Sequence, residues 1–168
     1  MKKHDESLWQ NYSETVKAAA RLARKLHEGQ TDKAGIDYFE GHLTAVANCG
    51  VNWMEQVVGY LHDAAEDTSF TVDEIINALK AACKGPTDEE WGRITQALDL
   101  LNSHTVANRD DYICRFRGNN LAIRVKLNDL RHNMNISRIA NPTDKDLARV
   151  VRYRKEYDIL MEMLNECM

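Results

Sequence analysis

The chain has only two prolines, no long apolar run and no paired cysteines, and each shortage removes a class of protein. The four cysteines (Cys49, Cys83, Cys114 and Cys167) are scattered, with no C-x-x-C pair. That spacing excludes a disulfide framework and a cysteine zinc clasp, and leaves reduced, partly buried thiols. No apolar stretch approaches the length of a bilayer span, and the charged start, Met1-Lys2-Lys3-His4-Asp5-Glu6, has no apolar signal region. A cytoplasmic protein with no membrane partner is therefore expected. There is no G-x-x-x-x-G-K-[ST] loop and no G-x-G-x-x-G, so ATP-driven and dinucleotide chemistry have no support. No alternating strand, hairpin turn, long linker or internal repeat is visible either.

What is present is helical. Both prolines, Pro86 and Pro142, sit just before helix-start signals, Thr87-Asp88-Glu89-Glu90 and Thr143-Asp144-Lys145-Asp146; Thr71-Val72-Asp73-Glu74 is a third. Apolar residues recur at helical spacing at Val16, Ala19, Ala20, Ala23 and Leu26, and again at Leu147, Val150, Val151, Tyr157, Leu160, Met161 and Leu164. The pattern predicts an all-α chain of about eight helices, roughly 8–28, 41–49, 52–66, 71–83, 87–103, 108–117, 120–137 and 143–166. A polar loop runs from Gly29 to Glu40. At 168 residues the whole chain, 1–168, is expected to be one compact domain.

The net charge of −4 is unevenly distributed. Between Arg109 and Lys155 twelve Lys/Arg face five Asp/Glu. Solvated helix faces explain such a surplus as well as a field that attracts a phosphorylated small molecule. Nucleic acid is disfavoured, because the chain as a whole is acidic and carries no nucleic-acid motif.

The densest chemistry is His62-Asp63-Ala64-Ala65-Glu66-Asp67, directly after the apolar run Val57-Val58-Gly59-Tyr60-Leu61. Four ionisable groups beside a buried stretch are costly unless a partner such as a divalent cation offsets them. On one helix over 52–66, His62 and Glu66 share a stripe, as do Asp63 and Asp67, and all four fall within roughly 140° at about 100° per residue. A second cluster is Lys126-Leu127-Asn128-Asp129-Leu130-Arg131-His132-Asn133-Met134. Lys126, Asp129 and Asn133 lie on one face of an apolar helix. A buried Asp129 there needs a partner, either a metal or a nearby arginine. His42 and His27 compete as a further nitrogen donor.

These blocks, in this order, resemble the HD superfamily of metal-dependent phosphohydrolases. More narrowly, they are similar to the hydrolase domain of the RelA/SpoT alarmone enzymes and their stand-alone small relatives. The resemblance rests on His27-Glu28-Gly29-Gln30, Lys33-Ala34-Gly35 and Tyr38. It continues through Leu61-His62-Asp63 with Glu66-Asp67-Thr68, and Lys126-Leu127 with Asp129 and His132-Asn133-Met134. It spans about residues 15 to 160 and implies a helical HD-type fold. It also prefers His42 over His27, and so implies His42, His62, Asp63 and Asp129 as metal ligands. Three features depart from the alarmone pattern: Thr31-Asp32 precede Lys33 after Gly-Gln, Leu43 follows His42, and Leu130 separates Asp129 from Arg131.

A nitrogen and oxygen donor set without cysteine suits an open catalytic site for manganese, iron or zinc, and the resemblance favours Mn2+. Glu66 and Asp67, one turn beyond the ligands, are the expected handlers of the attacking water. Lys126 and Asn133, and Lys33 and Tyr38 from the loop, are the expected contacts to a small phosphorylated nucleotide. Arg24, Arg115 and Arg124 are further basic candidates. The expected activity is release of pyrophosphate from the 3′ position of a guanosine or adenosine 3′,5′-bis(diphosphate). The alternatives are a nucleotide phosphomonoesterase or other phosphohydrolase of the superfamily, and a catalytically silent nucleotide- or partner-binding module. Oligomeric state is not encoded in any of these features.

Overall fold

Helix-start chemistry explains most of the element boundaries. The computed structural model describes residues 2–166, with side chains from Tyr12 onward, so Cys167 lies outside the described residues. Thr71 and Thr87 both form reciprocal capping boxes, with Glu74 and Glu90, and open α5 (Val72–Ala82) and α6 (Asp88–Leu101). Thr143 and Asp146 exchange the equivalent bonds at the start of α9 (Asp144–Glu166). Asparagines do the same work elsewhere. Asn52 caps α3 (Trp53–Leu61), Asn108 caps α7 (Arg109–Cys114) and Asn119 caps α8 (Asn120–Met134), each accepting from a backbone N–H three residues on.

The all-helical expectation holds. Before α3 come α1 (Lys2–Leu26), a π-helical turn (Phe39–Leu43) and α2 (Thr44–Asn48). Between α3 and α5 lies the short α4 (Ala64–Asp67). Among the described residues the only extended pairing is an isolated bridge between Thr31 and Asp37 in the polar loop. No helix among them is long and apolar enough to cross a membrane.

Two expected helices are altered, those that carry His42 and His62. The 52–66 helix breaks at His62 and Asp63, giving α3 and α4. The His62 ring bonds through Nδ1 to the Gly59 carbonyl at 2.8 Å, the acceptor that a continuing helix would offer to the Asp63 N–H. The 41–49 helix begins instead as a π turn in which Thr44 N–H reaches back five residues to the Phe39 carbonyl.

One continuous apolar core joins the elements, and α8 runs through it. Its stretch Ala122–Leu130 is buried except for Arg124: Ala122, Ile123, Val125, Leu127 and Leu130 pack into the core, and Lys126 and Asp129 are buried as a pair. It packs against α2, α3, α6 and α9, while α1 covers α3 and α5. The Ala18, Ala19 and Ala23 face of α1 is buried. On α9 the buried residues, Glu156, Leu160, Met163 and Leu164, lie in its C-terminal half. Leu147 and Val151, which belong to the apolar periodicity of this segment, are 51% and 72% exposed. Cys49 and Cys114 are exposed free thiols rather than half-buried ones, and Cys83 is the partly buried one.

Close helix approach sets the geometry of the site. A Cβ on Gly59 of α3 would lie 2.8 Å from the Cα of Ala47 on α2. Only the absent side chain lets the two helices, and the histidines beside them, come together.

Candidate metal centre

Three separated stretches deliver four donor atoms to one buried point. The π turn presents His42, the α3–α4 break presents His62 and Asp63, and the centre of α8 presents Asp129. His42 Nε2 lies 3.2 Å from His62 Nε2, 3.3 Å from Asp63 Oδ2 and 3.3 Å from Asp129 Oδ1. His62 Nε2 lies 3.0 Å from Asp63 Oδ2 and 3.7 Å from Asp129 Oδ1. His42, His62 and Asp63 form the tightest group, each offering a ligand atom within 4.8 Å of the others. Asp129 joins through its two histidine contacts. Donors around a four-coordinate ion with bonds of about 2.1 Å stand about 3.4 Å apart, so the spacing and N/O chemistry of His42, His62 and Asp63 could hold a divalent cation.

Surrounding bonds fix which atom each ligand offers. The Gly59 carbonyl only accepts, so His62 carries its proton on Nδ1 and turns Nε2 inward. His42 Nδ1 meets His132 Nδ1 at 2.8 Å. Burial, the neighbouring His42 and Arg138 hold the His132 pKa down to about 4. His132 is therefore neutral in this contact, in which one of the two Nδ1 atoms donates to the other, and His42 Nε2 faces the cluster. Asp129 receives Lys126 Nζ on Oδ2 at 2.7 Å and Asn133 Nδ2 on Oδ1 at 2.5 Å. Asp63 Oδ2 accepts from the Tyr38 hydroxyl at 2.6 Å.

Electrostatics sort the carboxylates into two kinds. Burial opposes the charge on Asp63, but His62 and His42 outweigh it and hold its pKa well below the usual range. Lys126 and the two histidines do the same for Asp129. Asp67 goes the other way. Although its side chain is exposed, crowding by neighbouring atoms and the charges of Asp63 and Glu66 raise it. Carboxyls pushed apart in this manner divide into permanent anions and proton acceptors. The Tyr38 phenol is pushed up by burial and by Asp63, so it stays a donor.

The expected site residues are distributed as follows. His42, His62 and Asp63 come together, and Asp129 meets them through its contacts to the two histidines. Glu66 lies half-buried behind them, its Oε2 held by the Ser103 backbone N–H at 2.9 Å, and Asp67 is open to solvent. Their spacing from the ligands is set by the α3–α4 break, not by a shared helical stripe. Lys126, Asn133 and Tyr38 commit their polar atoms to the carboxylates, and Lys33 reaches Asp146 on α9 at 3.0 Å. Arg115 crosses the end of α6, bonding the Leu100 and Asn102 carbonyls, and so steadies the turn that holds Glu66. Arg24 pairs with Glu40, and Arg124 lies 3.9 Å from Glu55. His132 is the supporting residue that reasoning by spacing left without a role. Its position four beyond Asn128 gives no hint that its ring meets His42 from another element. His27, the competing histidine, is buried outside the four-atom cluster.

No protein-family model matches this chain, and no curated protein does.

Proposed function

We propose that the chain is a metal-dependent phosphohydrolase of the HD type, acting on a small phosphorylated nucleotide. The supporting observation is the convergence of two imidazoles and two carboxylates from three stretches, with an acidic pair one turn beyond. His42, His62, Asp63 and Asp129 would hold the ion, Mn2+ being favoured by the sequence resemblance and Fe2+ or Zn2+ being compatible with the donors. When bound, a divalent ion lowers the pKa of a water molecule and polarises a phosphoryl oxygen. Asp67, with its raised pKa and open side chain, is suited to take the proton of the attacking water. Glu66, anchored by Ser103, orients that water.

The finer reading is a guanosine or adenosine 3′,5′-bis(diphosphate) 3′-pyrophosphohydrolase, and it rests on the sequence blocks. A nucleotide phosphomonoesterase is the second reading. One observation favours it: Lys126, Asn133 and Tyr38 are engaged by carboxylates, which leaves fewer groups for a second phosphate.

The test is incubation of the Mn2+-loaded protein with 3′-pyrophosphorylated nucleotides, 5′-nucleotides and a generic phosphate ester. Pyrophosphate release supports the finer reading, and orthophosphate from mononucleotides the second. Nucleotide binding without any turnover would reject both in favour of a silent binding module. Asp63→Ala is expected to lose metal and activity together, whereas Glu66→Ala retains the metal and loses turnover. Elemental analysis beside kinetics separates the two, and an Asp63→Ala protein that hydrolyses normally would overturn the site.

A further inference from the structure

His27 is 1% exposed, stands outside the four-atom cluster, and has a role in none of the chemistry above. Its Nδ1 bonds Gln30 Oε1 at 2.8 Å, and a carbonyl oxygen requires that this nitrogen carry the proton. Its Nε2 is buried with no hydrogen-bond partner among the described residues. A buried ring kept only for packing satisfies both nitrogens or is replaced by an apolar ring at lower cost. The one hydrogen bond the ring makes among the described residues is the one to Gln30.

That bond leads to the site by two routes. Gln30 Nε2 donates to the Asp67 backbone carbonyl at 3.2 Å, and the Gln30 carbonyl accepts the Tyr38 N–H at 2.9 Å. The His27 ring also packs on the Tyr38 ring, centroids 5.3 Å apart, and Tyr38 holds Asp63. One histidine thus ties the end of α4, which carries Asp67, to the loop that carries Tyr38.

We propose that His27 is a positioning residue for the hydrolytic reaction, acting through Gln30 to hold Asp67 in place relative to Asp63. The proposal rests on the phosphohydrolase reading for its catalytic consequence, though not for its structural one. His27→Phe keeps a ring against Tyr38 and removes the donor to Gln30. His27→Asn places an amide N–H near the position of Nδ1 and so restores the donor. Gln30→Leu removes the other partner.

In the metal-loaded protein, His27→Phe is expected to lower kcat about ten- to a hundred-fold with KM and metal content little changed, the scale of a small misplacement of a reacting group. His27→Asn should recover most of that loss. The His27→Phe and Gln30→Leu effects should not add, because both break one linkage. Amide hydrogen exchange at Asp67 and Thr68 in the metal-free protein supplies a readout independent of activity, and it should quicken in His27→Phe and Gln30→Leu but not in His27→Asn. Unchanged kcat and unchanged exchange in His27→Phe would overturn the proposal, as would additive effects of the two substitutions. If the wild type turns over no phosphorylated nucleotide, the hydrolase reading fails while the exchange experiment still decides whether His27 positions Asp67. Should His27→Phe not fold, Gln30→Leu carries the same two measurements.

Discussion

Asp63 accepts the Tyr38 hydroxyl on the same oxygen that faces both histidines. A phenol that cannot ionise in this setting withdraws charge from that oxygen and fixes its direction without competing as a ligand. Tyr38→Phe is expected to leave the fold intact and weaken divalent-ion affinity about ten- to a hundred-fold, the usual effect of removing a support behind a ligand. Titration calorimetry with Mn2+ and Zn2+ measures it, and equal affinity in the two proteins would show the hydroxyl to be incidental. Lys126 plays the matching part for Asp129. Burial disfavours its ammonium, but the adjacent carboxylate outweighs this and keeps the lysine charged. Neither role is legible from spacing. Sequence places Lys126 and Asn133 on the Asp129 face, and that is equally consistent with reaching outward to substrate.

At the scale of elements, the site depends on two departures from regular helix. The π turn at Phe39–Leu43 carries His42, and the break at His62 and Asp63 carries the central pair. Hydrophobic periodicity registers neither, because each departure spans too few residues for the flanking apolar stripes to reveal it. The eight expected helices were legible for the opposite reason: threonine and asparagine caps and apolar stripes act locally. Gly59 connects the two departures by letting α2 and α3 touch. Gly59→Ala would press a Cβ against the Ala47 backbone, which cannot move aside as a flexible side chain would. It is expected to cost about 1–3 kcal/mol of stability and to weaken metal binding as well, since His42 and His62 are displaced relative to each other. Denaturant unfolding and metal titration of the same protein check both effects. Lost stability with undiminished affinity would show that the histidines follow the chain without this contact.

For the molecule as a whole, the cluster makes stability depend on pH in a manner that an ion reverses. Burial disfavours charge on His42 and His62, but Asp63 and Asp129 outweigh it, so both histidines have raised pKa values. Such groups contribute stability in full below the ordinary histidine value near 6.5, and the contribution is lost as pH rises through the folded value. Asp63 and Asp129, held low, contribute above the ordinary carboxylate value near 3.9 and lose that contribution as pH falls through the folded value. Asp32 behaves likewise. Burial opposes its charge, but the Ile36 and Ala34 N–H groups and Arg138 hold it low. The metal-stripped protein should therefore be most stable at about pH 6.5, lose melting temperature above it, and lose some below it as His132, held down to about 4, is forced to take up a proton. An ion takes the place of the protons among these donors, so Mn2+ or Zn2+ should raise the melting temperature increasingly as pH rises. Thermal unfolding with and without metal from about pH 5 to about pH 8 tests this, and parallel profiles would contradict a shared ion site.

Most of the helices and their starts, the polar loop and the identity of the chemistry-bearing blocks were legible in the sequence. Caps and apolar stripes are set by residues within a turn or two of one another, and His62-Asp63 announces itself beside a buried run. Only the packing of distant elements brings His132 behind His42 from ninety residues away and turns Lys126, Asn133 and Tyr38 inward. Those outcomes depend on how α2, α3 and α8 pack and on two short breaks in helical geometry. The direction of a side chain across an interface is fixed by distant backbone, and no local pattern carries it.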